Sequence, residues 1–190
     1  SQVGIQVNPR IVVLTPSIPE RSGLLRECMF SIATQTLQPA AHIIAIDYEH
    51  AGTAAMLNRM IGSAVATGAE WVALLADDDL AYPGHLQTLA SASNSADIIY
   101  TWCDVHGRPG WNPNRLFDAD ALRAGNYIPG TVLMRTDLAN NLGWRTDAAH
   151  GFEDWNFWLR AIDWGARFAC IPEITWQYRF HGTNISWGGQ

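Results

Sequence analysis

The chain has 190 residues and a formal net charge of −6 at pH 7, from 12 Lys and Arg against 18 Asp and Glu. Hydrophobic residues make up 48% and charged residues 16% of the chain, which excludes a disordered chain and a charged coiled coil and predicts one domain with a buried core. The acidic balance also excludes a broad basic face of the kind that binds a nucleic-acid backbone.

The cysteines and the apolar stretches bear on the compartment. Cys28, Cys103 and Cys170 are odd in number, far apart in sequence and without metal-ligand spacing, which predicts free thiols in a reducing compartment. No apolar stretch approaches the ~20 residues needed to span a bilayer, and the N-terminus has no targeting pattern. We therefore expect a cytoplasmic chain with no transmembrane segment.

Apolar runs alternate with helical patterns in the first half of the chain. The predicted strands cover 11–14, 43–46, 71–75 and 97–100. The predicted helices cover about 20–36, 53–67 and 84–93. This alternation predicts an α/β fold with a mainly parallel central sheet flanked by helices. Ligands bind such a sheet outside the carboxyl ends of its strands.

The second half of the chain has a looser pattern. A Gly, Pro and Asn-rich stretch at 107–114 predicts a surface loop. The elements predicted after it are a strand at 132–134, helices at 136–142 and 153–164, and two β segments at 167–171 and 174–180. We see no internal repeat and no linker.

Three adjacent carboxylates, Asp77, Asp78 and Asp79, follow the third predicted strand. They repel one another at short range, so a cation or dense hydrogen bonding must compensate them. A divalent metal is one explanation, because Mg²⁺ and Mn²⁺ prefer carboxylate oxygens. A solvated acidic turn with helix-capping aspartates is the other.

Two further patterns contain groups that could take part in chemistry. Glu153 and Asp154 open the helix at 153–164, where acids are favoured by the helix dipole and where one could act as a general base. His181 follows the last β segment; it is either a surface histidine or a nitrogen ligand that completes a carboxylate metal site.

Seven segments together resemble a known family. They are I-V-V-L-T-P at 11–16, R-S-G-L-L-R-E-C-M-F-S-I-A-T-Q-T at 21–36, I-I-A-I-D at 43–47, A-A-M-L-N-R-M-I at 54–61, W-V-A-L-L-A-D-D-D-L-A-Y-P-G-H-L at 71–86, G-F-E-D-W-N-F-W-L-R-A at 151–161 and Y-R-F-H at 178–181. In this order the chain resembles the family 2 glycosyltransferases of the GT-A fold. The resemblance implies a Rossmann-like nucleotide-diphospho-sugar transferase domain over 1–190, with a nucleotide-sugar half at about 1–101 and an acceptor and catalytic half at about 102–190.

The same resemblance implies the roles of individual residues. Asp154 would be the catalytic base, with Glu153 supporting it or binding the acceptor. Mn²⁺ or Mg²⁺ would be held by residues from the acidic triplet, with the direct ligands left open, and His181 would be a ligand of the metal or of a phosphate. The residues implied for nucleotide-sugar binding are Thr15, Pro16, Asp47, Asn58, Arg59, Asp77 and Asp78; those implied for the metal are Asp77, Asp78, Asp79 and His181.

The predicted function is an inverting, metal-dependent transfer of a sugar from a UDP-, GDP- or TDP-sugar to an acceptor hydroxyl. The alternatives are a nucleotidyltransferase that makes a nucleotide sugar and a non-catalytic module that binds a sugar nucleotide or glycan. The acceptor stays open, a modified DNA base included. We expect Trp158 and Trp164 in the core. The tryptophans expected on sugar faces are Trp102, Trp111, Trp155 and Trp187.

Overall fold

The structure, a computed structural model, describes residues 9–149, 151–181 and 184. The strands are β1 (Ile11–Ser17), β2 (Ala41–Ile46), β3 (Trp71–Leu74), β4 (Leu80–Ala81), β5 (Ile98–His106), β6 (Leu133–Arg135) and β7 (Phe168–Arg179). The helices are α1 (Ser22–Ala33), α2 (Thr53–Ala66), α3 (His85–Ala90), α4 (Ala119–Ala124), α5 (Thr136–Leu142) and α6 (Glu153–Trp164). A short 3-10 helix, Pro19–Arg21, precedes α1.

The seven strands form one sheet in the order β2-β1-β3-β6-β5-β7-β4. The pairs β1 with β2, β1 with β3 and β5 with β7 are parallel and contain most of the paired residues. The shorter β6 and β4 pair with their neighbours in the antiparallel sense. The expected fold class, an α/β domain with a mostly parallel sheet flanked by helices, is therefore confirmed.

Alternate residues of β1 face opposite sides of the sheet, as the two-residue period of a strand requires. Val12 and Leu14 belong to a buried cluster that includes residues of α2, α5 and α6. Ile11 and Val13 belong to a second cluster on the other face, with residues of α1 and α3. The sheet is covered on both faces, which explains why its strands read as continuous apolar runs.

The second half of the chain differs most from its prediction. The two predicted β segments form the single strand β7, whose pairing with β5 shifts between Thr101 and Trp102, so that Ile171 and Ile174 face consecutive residues of β5. This irregularity surrounds Pro172, which cannot donate a backbone hydrogen bond to the ladder. The two-residue strand β4 and the helix α4 were not predicted. Their short sequences carry no clear period.

The tryptophans assigned to the core separate into one correct and one wrong prediction. Trp158 is fully buried, and its indole N–H donates to the carbonyl oxygen of Ile128 at 3.1 Å. Trp164 is 64% exposed at the last residue of α6, although the helical period puts it in line with the buried Phe157 and Ala161.

The cysteines of the described residues are free thiols, as expected. Burial raises the pKa of both Cys28 and Cys103 to about 12, so neither thiol is ionised near neutral pH. Within the described ranges, no helix combines the length and the apolar character that a bilayer span requires.

The packing of α3 against the sheet gives a stability prediction. Leu89 is fully buried, so Leu89→Ala leaves a cavity and should lower the free energy of unfolding by about 2–5 kcal/mol. Leu116→Ala is the matched control, since Leu116 is 62% exposed and its truncation should change stability by less than about 0.5 kcal/mol. Urea unfolding monitored by circular dichroism measures both; equal losses would contradict the described packing of α3.

Candidate active site

A cavity of about 390 Å³ opens at the carboxyl ends of β1 and β3 and reaches the first turn of α6. Its walls come from the loops that follow β1, β2 and β3, from the segment before β6 and from the start of α6. The polar and charged residues among its lining are Ser17, Arg21, Asp47, His50, Thr53, Asp77, Asp78, Asp79, Thr131, Glu153, Asp154, Tyr178 and Asn184. The two acidic groups singled out in the sequence therefore face one space.

Asp77 is buried and is held by the loop after β1. Its Oδ2 accepts a hydrogen bond of 2.6 Å from the Ser17 hydroxyl, and its Oδ1 lies 3.0 Å from Arg21 Nη1. Because β1 and β3 are neighbouring parallel strands, their carboxyl ends bring Ser17 and Arg21 to this carboxylate. Part of the repulsion within the triplet is therefore offset by a cation of the chain itself.

Asp78 is the member of the triplet that contacts His181 and Asn184. Its Oδ2 lies 3.0 Å from His181 Nε2, 3.1 Å from Arg21 Nη1 and 3.3 Å from the Asn184 amide nitrogen. Asn184 also accepts from the His181 backbone N–H at 2.8 Å, which fixes the histidine beside the carboxylate. The structure thus brings His181 to the acidic triplet across more than 100 residues of sequence.

Asp79 turns away from Arg21 toward β7. Its Oδ1 accepts the Arg179 backbone N–H at 3.1 Å, and Arg179 also donates from its side chain to the Asp78 carbonyl oxygen and to Glu27. Burial, and next the charge of Asp78, raise the pKa of Asp79 well above its usual range. The ionised form of Asp79 is therefore disfavoured at this position.

The donor set at Asp78 fits a divalent cation in its chemistry. A carboxylate oxygen and an imidazole nitrogen are both ligands that Mn²⁺ accepts, and Asp78 Oδ2 already attracts a guanidinium nitrogen. Among the described residues, however, no group of three or more His, Cys, Asp or Glu side chains is arranged to hold a metal. The alternative interpretation of the triplet as a solvated acidic turn is excluded, since all three carboxylates are buried.

Asp47 follows β2 and shapes the loop after it. Its two carboxylate oxygens accept the backbone N–H groups of Ala51 at 2.9 Å and of Gly52 at 2.8 Å. These hydrogen bonds lower the pKa of Asp47, the bond from Ala51 most. Asp47 and Pro16 line the cavity as the resemblance implied, and Asp47 also holds the loop that carries the lining residue His50.

Three other expected nucleotide-binding residues are not among the residues that line the cavity. Thr15 is buried, with its hydroxyl 2.8 Å from His42 Nε2. Asn58 donates to the Trp144 carbonyl oxygen at 2.9 Å and accepts the Trp144 backbone N–H at 2.8 Å. Arg59 is exposed on α2. Asn58 thus holds the backbone at Trp144, which is not among the residues that line the cavity.

Glu153 and Asp154 lie in the first turn of α6, but stabilisation of the helix start does not account for the state of Asp154. The N-cap residue of α6, Phe152, makes no capping hydrogen bond with its side chain, and burial, followed by the charge of Glu153, raises the pKa of Asp154 to about 6. The Trp144 side chain acts in the opposite direction and lowers this pKa. The helix start was expected to favour the ionised form. Desolvation is the larger effect, and it makes Asp154 a stronger proton acceptor than an exposed aspartate.

The Asp154 carboxylate packs against a glycine. A Cβ built on Gly130 would lie 2.7 Å from Asp154 Oδ2, closer than such contacts are found. Gly130 and its neighbours Pro129 and Thr131 line the cavity on the side of α6. The backbone before β6 therefore sets how far the carboxylate can reach into the cavity.

Of the tryptophans expected on sugar faces, Trp102, Trp111 and Trp155 are not among the residues that line the cavity. Trp111 packs on the lining residue Tyr178, with ring centroids 5.0 Å apart. Trp155 donates its indole N–H to Leu122, and Trp102 is half-buried in β5. Trp187 lies outside the described residues.

The contribution of Ser17, Arg21, Arg179 and Asn184 to the site was not predicted. The sequence contained one signal for Arg21, a basic residue shortly after the first predicted strand. Arg179 lies in the segment Y-R-F-H, from which only His181 was singled out, and no local pattern marks Ser17 or Asn184. Their role depends on strand pairing: β1 neighbours β3, and β4, which directly follows the triplet, pairs with β7.

Known proteins share this architecture. The Staphylococcus aureus protein TarS, residues 1–349 in complex with UDP-GlcNAc, superposes with a TM-score of 0.72 at 14% identity, over 95% of this chain and 61% of that one. The mannosyltransferase PcManGT from Pyrobaculum calidifontis, in complex with GDP-Man and Mn²⁺, superposes with a TM-score of 0.65 at 18% identity, over 95% of this chain and 59% of that one. The chain has the fold of these glycosyltransferases.

A relative by sequence points the same way. The Bacillus subtilis (strain 168) protein described as uncharacterized glycosyltransferase YwdF is 26% identical over 168 residues, which cover 82% of this chain and 62% of that protein. This chain therefore spans less than two thirds of the relatives it resembles. No protein-family model matches it.

The raised pKa of Asp154 gives a stability prediction. The pKa of Asp154 in the folded chain, about 6, exceeds the ordinary value of 3.8, so ionising Asp154 destabilises the fold. This destabilisation is absent below pH 3.8, grows as the pH rises, and is complete above pH 6. Asp154→Asn removes this cost. We expect the variant to melt at a higher temperature than the parent at pH 8, with a smaller gain at pH 4.

Thermal melts at both pH values measure this effect. Asp120→Asn is the matched control, because Asp120 is an exposed first-turn carboxylate of α4 and its replacement should give no gain that grows with pH. A lower melting temperature of Asp154→Asn at pH 8 would contradict the burial of an ionised carboxylate at this position.

Proposed function

We propose that the chain is the catalytic domain of a glycosyltransferase of family 2, with the GT-A fold, that transfers a sugar from a nucleoside-diphosphate sugar to an acceptor hydroxyl with inversion. One observation carries the proposal: a single cavity joins Asp47 and the triplet Asp77–Asp79 on one side to Asp154 on the other. The relative described as a glycosyltransferase and the shared fold support it.

The donor is assigned to the wall formed by β1, β2 and β3. UDP-GlcNAc is bound by TarS and GDP-Man by the mannosyltransferase, and we infer a UDP-, GDP- or TDP-sugar here. The loop held by Asp47, together with Pro16 and His50, would hold the nucleoside. The diphosphate would lie between Arg21 and the triplet. The two-half division at about residue 101 stays a prediction, and the cavity draws residues from both halves.

The acceptor is assigned to the wall formed by Gly130 and α6. Asp154 takes the proton of the acceptor hydroxyl as its oxygen bonds to the anomeric carbon, and the bond from that carbon to the diphosphate oxygen breaks. The nucleoside diphosphate leaves with the bonding electrons. Attack from the face opposite the leaving group inverts the configuration. Glu153, beside Asp154, supports the base or contacts the acceptor.

Asp78 and His181 are the residues that would hold Mn²⁺ or Mg²⁺, with Asp77 and Asp79 supporting the segment. Such a cation, when bound, neutralises negative charge that develops on the leaving diphosphate. Mn²⁺ is present in the complex of the mannosyltransferase. The remaining work at this end of the cavity is done by side chains of the chain: Ser17 and Arg21 fix Asp77, and Asn184 fixes His181.

The base assignment predicts a separation of binding from transfer. Asp154→Asn keeps the shape of the side chain and removes the proton acceptor, so transfer should fall by about 10²–10⁴-fold while donor affinity stays close to the parent value. In the parent, transfer should decrease as the pH falls through about 6, where Asp154 becomes protonated.

Radiolabelled transfer and calorimetric donor binding, measured on the same preparation, test this prediction. Asp120→Asn serves as the control that should transfer like the parent. Turnover of Asp154→Asn within a few-fold of the parent excludes Asp154 as the base. A larger loss in Glu153→Gln than in Asp154→Asn moves the assignment to Glu153, and donor binding with no transfer by the parent favours a binding module.

The metal assignment predicts a dependence on chelation. EDTA should abolish transfer, and added Mn²⁺ or Mg²⁺ should restore it, because the diphosphate leaving group would lose a neutralising cation. A screen of nucleotide sugars by thermal shift, with and without Mn²⁺, identifies the donor for this assay. Full activity in exhaustive chelator would contradict the metal assignment and leave the base assignment intact.

A further inference from the structure

Arg21 is a cation that contacts two carboxylates of the acidic triplet and to which the resemblance assigned no role. Its Nη1 lies 3.0 Å from Asp77 Oδ1 and 3.1 Å from Asp78 Oδ2, so one nitrogen bridges two buried carboxylates. The Arg21 side chain is itself 13% exposed. Charge pairs buried to this degree are only weakly screened by solvent, which makes the bridge strong.

We propose that Arg21 is a resident cation that competes with the divalent metal for Asp77 and Asp78. The inference rests on the proposed function, which puts the metal at Asp78. The oxygen that faces His181 Nε2, Asp78 Oδ2, is the same oxygen that Arg21 contacts. A divalent cation on this oxygen and a guanidinium 3.1 Å from it would repel each other, so the two cations exclude each other.

The backbone of Arg21 is held in place, and its side chain borders the cavity. Its N–H donates to the Ile18 carbonyl oxygen at 3.1 Å in the 3-10 helix that precedes α1. The side chain lines the cavity, so a displaced guanidinium enters the space assigned to the donor diphosphate. Without nucleotide the metal should therefore bind weakly, and Arg21 should pair with the diphosphate once metal and donor are both present.

The test is the affinity for Mn²⁺ alone, measured by electron paramagnetic resonance without any nucleotide. Arg21→Gln removes the competing charge, and we expect it to bind Mn²⁺ at least about fivefold more tightly than the parent. Arg21→Lys keeps a cation and should stay close to the parent. Arg26→Gln is the matched control, because Arg26 is exposed on α1 and its loss changes the net charge equally.

An unchanged or weaker Mn²⁺ affinity in Arg21→Gln, or an equal gain in Arg26→Gln, overturns the proposal. If Arg21→Gln does not fold, the parent answers the same question: the guanidinium nuclear magnetic resonance signal of Arg21, assigned with Arg21→Lys, should shift on saturation with Mg²⁺. A constant signal overturns the proposal. Transfer activity of the parent is a separate readout: if Arg21→Gln gains Mn²⁺ affinity while the parent transfers no sugar, this inference is retained and the proposed function is lost.

Discussion

Three neighbouring carboxylates are buried at the end of β3, and the rest of the site depends on how their charge is compensated. Arg21 bridges Asp77 and Asp78, Arg179 anchors the main chain and the side chain around Asp79, and His181 meets Asp78. Buried charges of one sign persist only when cations or hydrogen-bond donors surround them. The triplet thus ties the loop after β1 and the end of β7 to the end of β3, and these ties give one side of the cavity its shape.

The first half of the fold could be predicted from the sequence because its strands and helices each carry a clear period. Continuous apolar runs become the buried strands β1 and β3, and the helical stripe after Thr53 becomes α2. The second half could not be predicted as well. β7 continues through Pro172, where sequence alone indicates a break, and Trp164 has the composition of a core residue at a position where the helix ends.

The residues of the site also divide into those that could be predicted from the sequence and those that could not. Its acidic groups could be singled out because like charges in sequence demand an explanation, and the structure brings Asp154 and the triplet to one cavity. The groups that compensate them could not, since Arg179 and Asn184 act over about 100 residues of sequence. Asn58 illustrates the limit of transferring roles by motif. Its helix was predicted correctly, but its side chain holds the backbone of Trp144 instead of facing the cavity.

Gly130 and Asp154 are 24 residues apart in the sequence, and close packing couples the two positions. Because the Asp154 carboxylate occupies the space that a side chain at 130 would need, a substitution at 130 requires a shift or a change at 154. Any side chain at 130 would press directly on the carboxylate that we propose as the proton acceptor. An engineered library that diversifies this wall of the cavity to change the acceptor should therefore leave 130 as glycine, or vary 130 and 154 as a pair.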